Sequence, residues 1–148
     1  MDQPDVASRI YHLQLERACL RAVRAMLRGR VDAGPQAMAE VERALVDIEP
    51  AIRDAEAAAT EAPMARLAAR FGLSASERDF LWTAVAAVAD PRWMVHATAL
   101  VGSEARRGLS LALYGVVSDA DADAGRALAL RLTPAHPLLR YQLLESGD

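Results

Sequence analysis

A chain of 148 residues that is 53% hydrophobic has the material for one domain's core, and its alanine-rich, aromatic-poor composition (5% aromatic) favours helices around an aliphatic interior. A net charge of −3 gives no general attraction to nucleic acid or to an anionic membrane. All 17 basic residues are arginine, which excludes together the lysine-dependent chemistries of the P-loop, the Schiff base and the kinase fold.

Residues 6 to 28 predict a first helix with two apolar stripes, Ile10, Leu13, Leu20 and Leu27 on one side and Leu15, Cys19, Ala22 and Met26 on the other. Two stripes imply contacts on two sides. Arg17, Arg21, Arg24 and Arg28 run along this helix at steps of four, three and four. Such a row is a candidate surface for nucleic acid or an acidic partner. The plainer reading is a solvated face, since arginines late in a helix complement its dipole.

Gly29 and then Gly34-Pro35 make a turn, and residues 36 to 59 predict a second helix. Met38, Val41, Leu45, Ile48, Ile52, Ala55 and Ala59 alternate steps of three and four, which is a heptad seam. It suits an antiparallel hairpin with the first helix, or self-association with a second copy. Pro50 interrupts the backbone ladder while the seam keeps phase, so a kinked helix or two abutting ones are expected.

The stretch from residue 64 to 92 carries the densest local signals. Leu67, Ala68 and Phe71 repeat at helical spacing, Gly72 stops that helix and Leu73 turns into the core. Ser74 with Glu77 three residues on forms a capping box. Phe80, Leu81, Ala84, Val85 and Val88 follow as the expected buried stripe, and Asp90-Pro91 closes one helix and opens the next. This is a helix-turn-helix corner, with Leu67, Phe71, Leu73, Phe80, Leu81 and Leu113 expected to be buried together. Beyond it, a helix should run from Pro91 to about Val101. Gly102 and Gly108 should bracket a polar loop carrying Arg106 and Arg107. Short helices are expected over 109–117 and 124–132, and the tail from Leu138 to Glu145 fits a helix or a strand.

As a reader of DNA the corner is poorly equipped. Its second helix carries Glu77-Arg78-Asp79 where basic or amide groups should face the groove, and residues 74 to 89 hold no Asn, Gln or Lys. Asp119, Asp121 and Asp123 resemble the start of a calcium loop, but the required Gly and Glu are replaced by Ala124 and Leu130, so a solvated acidic turn is the expectation. His12, His96 and His136 have no ligand spacing, and no metal or other cofactor is expected. Cys19 is the only cysteine, excludes an intrachain disulfide and reads as a buried inert thiol in a cytoplasmic protein. No segment reads as a signal peptide or a membrane span. Trp82 and Trp93 read as core residues around the corner, and no serine sits in a nucleophile elbow.

LAARFGLSASERDFL, then Asp90-Pro91-Arg92, then LSLAL at 109 to 113 and LTPAHPLLRYQLLE at 132 to 145 occur in that order. This succession resembles the non-catalytic N-terminal region, with its variant winged-helix domain, of bacterial AAA+ ATPases, including those accompanying extracellular contractile injection systems. The resemblance covers roughly residues 62 to 146. It implies a helical extension followed by a winged-helix module, with nucleotide and magnesium handled outside it, and a tail that starts a strand pair whose second strand lies beyond Asp148. Ser76 and Trp82 depart from it, standing where larger apolar and aliphatic residues respectively are expected.

Together these readings predict a mainly α chain: a helical hairpin over 1–60 and a helix-turn-helix, winged-helix-like domain over 61–148. The expected function is a non-enzymatic adaptor, cytoplasmic, that binds a protein partner or an AAA+ core. A DNA-binding regulator is the alternative. Arg17, Arg21, Arg24, Arg28, Arg78, Arg106 and Arg107 are the candidate interaction residues.

Overall fold

A computed structural model describes residues 5 to 118 and Leu128. Among the described residues the fold is mainly α, with six α-helices, one short 3-10 helix and no strand. Each α-helix begins at a side-chain cap, a proline or both. Asp5 opens α1 (Val6–Arg28), its carboxylate accepting the Ala7 N–H at 3.3 Å. Pro35 and Pro63 start α2 (Pro35–Ala58) and α3 (Pro63–Phe71), positions where a missing N–H costs nothing.

Gly72 ends α3 in the left-handed region at φ 63°, and the Leu73 N–H reaches back to the Ala68 carbonyl at 2.9 Å. Ser74 Oγ then accepts the Glu77 N–H at 3.2 Å to open α4 (Ala75–Ala89). Asp90 ends α4 and caps α5 (Pro91–Val101), accepting the Arg92 N–H at 3.0 Å. A 3-10 helix (Gly102–Arg107) replaces the expected polar loop. The last described helix, α6 (Leu111–Val117), is capped by Ser110 and starts two residues later than expected.

The packing centre is α1, which lies against α2, α4, α5 and α6. Leu15, Ala18, Cys19, Ala22 and Ala25 line its inner face and meet Ala86 and Ala87 of α4, Trp93 and Ala97 of α5, and Leu113 and Val117 of α6. Small residues on α1 let the neighbouring helices approach closely, and Trp93, fully buried, fills the space this leaves. A second, smaller cluster joins Phe80, Tyr114 and Leu128, with the Phe80 and Tyr114 rings edge to face at 5.1 Å. Helix α1 therefore packs on both its hairpin partner α2 and the corner's second helix α4.

Several expectations are corrected. Of the first stripe on α1 only Ile10 is buried, while Leu13, Leu20 and Leu27 are half-exposed. The core face of α4 is turned relative to the expected stripe: Thr83, Ala86 and Ala87 are inside, and Val88 is 89% exposed. Thr83 fits there because its hydroxyl donates to the Asp79 carbonyl at 2.8 Å. Helix α3 contributes only Ala68 to the buried residues, so Leu67, Phe71 and Leu73 are half-buried and do not share the interior with Leu113. Of the two forms expected around Pro50, two abutting helices are ruled out: α2 is one helix with Pro50 on its exposed side. The 124–132 helix, the Asp119–Asp123 turn and the 138–145 tail fall outside the described residues, Leu128 excepted.

Candidate functional site

Helices α1 and α2 form the antiparallel hairpin, as the pairs Gln14 with Glu56 and Arg17 with Glu49 require. The seam on α2 is used within the chain: Leu45, Ile48, Ile52 and Ala55 are buried, and Met38, Val41 and Ala59 half-buried. Helix α4 crosses beside this pair, and the three helices leave an open cleft of about 350 Å³ that the end of α6 also borders.

Each wall is one helical stripe. From α1 come Gln14, Arg17 and Arg21; from α2, Glu49, Ile52, Arg53 and Glu56. Helix α4 supplies Ala75, Arg78, Asp79 and Trp82, with Ser76 beside them, and α6 ends in Tyr114 and Ser118. Trp82 is half-buried, and its ring meets Tyr11 at 6.5 Å.

Asp79 is the hub. Its Oδ1 accepts from Arg21 Nη1 at 2.7 Å and from Arg17 Nη2 at 3.3 Å, and its Oδ2 accepts from the Tyr114 hydroxyl at 2.6 Å. Arg17 continues outward, Nη1 donating to both Glu49 oxygens at 3.0 and 3.1 Å and Nη2 to Gln14 Oε1 at 2.7 Å. Gln14 Nε2 in turn donates to Glu56 at 3.0 Å. The inner pairs are shielded, with side-chain exposures of 12% and 11% for the arginines and 18% for Asp79. Glu49, at 42%, is the screened outer partner. Burial, reinforced by the Asp79 charge, pushes the Tyr114 hydroxyl well above the ordinary phenol range. It therefore remains a proton-holding donor at neutral pH.

A second network lies where α1 meets the α4–α5 junction. Cys19 Sγ donates to Asp90 Oδ2 at 3.4 Å, and Arg92 holds Asp90 through Nε at 3.2 Å and Nη2 at 2.9 Å. Arg92 Nη1 also reaches Glu16 at 3.1 Å. The Arg92 hydrogen bond outweighs burial and holds the Asp90 carboxyl below the usual range. Burial first, then the Asp90 charge, pushes the Cys19 thiol up to about 12. Only the thiolate is a nucleophile, so this cysteine is inert, as its apolar flanks suggested.

The structure divides the arginine row. Arg17 and Arg21 point into the cleft and pair with Asp79, Arg24 is buried at 6% exposure, and Arg28 alone is exposed in the last turn of α1. The expected solvated face is therefore corrected: most of the row faces the interior, along the same line as buried Ile10. Arg78 and Arg106 are exposed, and the Arg107 side chain lies outside the described set. Glu77, read as the capping-box residue three after Ser74, is buried at 5% exposure. Tyr114, Glu49 and Arg53, which the sequence left unremarked, complete the cleft around Asp79, which the sequence marked only as an acidic residue unsuited to DNA. Among the described residues no His, Cys, Asp and Glu cluster is arranged to hold a metal ion, and no helix is long and apolar enough to cross a membrane. Comparison of the chain with protein-family models, curated proteins and solved structures gives no match.

Proposed function

We propose that the chain is a non-catalytic protein-interaction module that works with an AAA+ ATPase. The family resemblance in the ordered blocks from LAARFGLSASERDFL to LTPAHPLLRYQLLE suggests the ATPase. The observation that carries the choice of a docking module over a DNA reader is the orientation of α4. Its Glu77 is buried and its Asp79 is bound by two arginines of α1, so α4 is built into the bundle as an internal brace. The exposed residues of α4 are Ala75, Ser76, Arg78, Val88 and Ala89, a single cation and no amide. Reading a groove needs a row of such groups on the open face. Two buried side chains capable of nucleophilic or acid–base work, Tyr114 and Cys19, are both held protonated at neutral pH. That arrangement favours a scaffold over an enzyme.

In this reading the winged-helix likeness is one of family architecture, and the work of the module is to present a surface to another protein. The test is affinity capture with the tagged chain against the candidate ATPase, with and without its nucleotide. Stoichiometric retention of the ATPase is the expected result. Absence of retention in every nucleotide state, with a folded module, would remove the adaptor assignment.

A further inference from the structure

The cleft has one more arginine than carboxylate, and the balance is uneven across it. Asp79 is engaged by Arg17, Arg21 and Tyr114, and Glu49 by Arg17. Arg53 and Arg78 line the same cleft from opposite walls, are exposed, and make no ion pair among the described residues. At the α6 end, Ser118 is buried at 6% exposure and its Oγ has no hydrogen-bond partner among the described residues. A buried hydroxyl left unmatched is uncommon, because it forgoes its hydration without recovering a bond. Half-buried Trp82 offers the cleft an apolar face, with buried Ile52 also in its lining.

We propose that this cleft docks an acidic segment of a partner protein, its carboxylates on Arg53 and Arg78 and an apolar side chain against Trp82. The assignment rests on the reading of the chain as an interaction module. Charge complementarity selects the occupant: the cations already paired are inside, and the ones left over stand at the opening. Nucleic acid fits less well, because Glu56 borders the opening and two arginines give little purchase on a phosphate backbone. A volume of about 350 Å³ is also larger than one small inorganic anion fills.

The two tryptophans allow a direct test. Trp93 is fully buried and gives a constant background, while half-buried Trp82 lines the cleft. The probe is a short peptide of glutamate and leucine, with a lysine and leucine peptide and inorganic phosphate as comparisons. The acidic peptide should shift the emission saturably, an effect abolished in Trp82→Phe. Its affinity should fall with added salt and drop by about tenfold or more in Arg53→Ala/Arg78→Ala. Both arginines are exposed, so that variant should keep the wild-type circular dichroism. The reversed pair Arg53→Glu/Arg78→Glu should bind the lysine peptide instead. The proposal is overturned if the acidic peptide gives no saturable shift, if the folded double variants bind it as the wild type does, or if phosphate alone binds as tightly. Failure here with the ATPase still captured would discard the cleft and leave the module reading standing.

Discussion

The Tyr114 hydroxyl donates a 2.6 Å hydrogen bond to Asp79, the carboxylate that also receives Arg17 and Arg21, so one side chain of α4 fastens both α1 and α6. Removing one partner from a shielded charge cluster strands the others. Asp79→Ala should therefore destabilise the fold by about 3–5 kcal/mol, the range for an uncompensated buried charge. Tyr114→Phe, which loses one hydrogen bond to a charged group, should cost about 1.5–3 kcal/mol. Urea unfolding measures both, and a cycle with Asp79→Ala/Tyr114→Phe should show coupling between them. Independent, additive losses would mean that the hydrogen bond contributes little.

The alkaline limb of stability should report the buried thiol. Cys19 binds its proton more tightly in the folded chain, where its pKa is about 12 against an ordinary 9.0. Stability is lost wherever the folded state holds the more protons as pH rises. The contribution is thus complete below about pH 9 and disappears as pH climbs towards about 12. Tyr114, raised from 10.0, adds a loss of the same sign starting near pH 10. No lysine titrates in this range to obscure the effect. Cys19→Ala should flatten the slope just above pH 9, and native Cys19 should resist a thiol reagent until the protein unfolds. An unchanged slope or rapid native labelling would place the thiol in contact with solvent.

Core truncations should separate the two aromatics of the corner. Phe80 is 5% exposed and packs edge-on against Tyr114, whereas Phe71 is half-buried on α3. Phe80→Ala should cost about 3–5 kcal/mol, and Phe71→Ala clearly less. Equal losses by denaturant titration would show that α3 is as firmly packed as α4.

Helix limits were legible because they depend on neighbours in the chain. Ser74 and Asp90 cap, Pro35 and Pro91 start, and Gly72 stops, all by local rules, whereas the Ser110 cap set the start of α6 two residues later than expected. Rotation about each helix axis was less legible. Val88 continues the apolar spacing of α4 yet is exposed, because that helix turns Thr83, Ala86 and Ala87 inward and packs Ala86 and Ala87 in the α1 cluster instead. The cleft was hidden for a related reason. Asp79 lies 62 residues from Arg17 and 58 from Arg21, and no local pattern links groups so distant. One signal was present: Ile10 stands on the same row of α1 as Arg17, Arg21 and Arg24, and a row that starts with a core isoleucine faces inward.

The central claim, that the corner is a brace for protein docking and not a reader of DNA, is tested most directly by selection from a pool of random duplexes at near-physiological salt. With Arg17 and Arg21 committed to Asp79 and Arg78 alone on the open side of α4, any binding should be weak and sequence-blind. It should also fall with salt at a log–log slope of about −0.9 per phosphate contact. Recovery of one sequence bound at nanomolar affinity, with that affinity lost in Arg78→Ala, would contradict the account and make the chain a DNA-binding regulator.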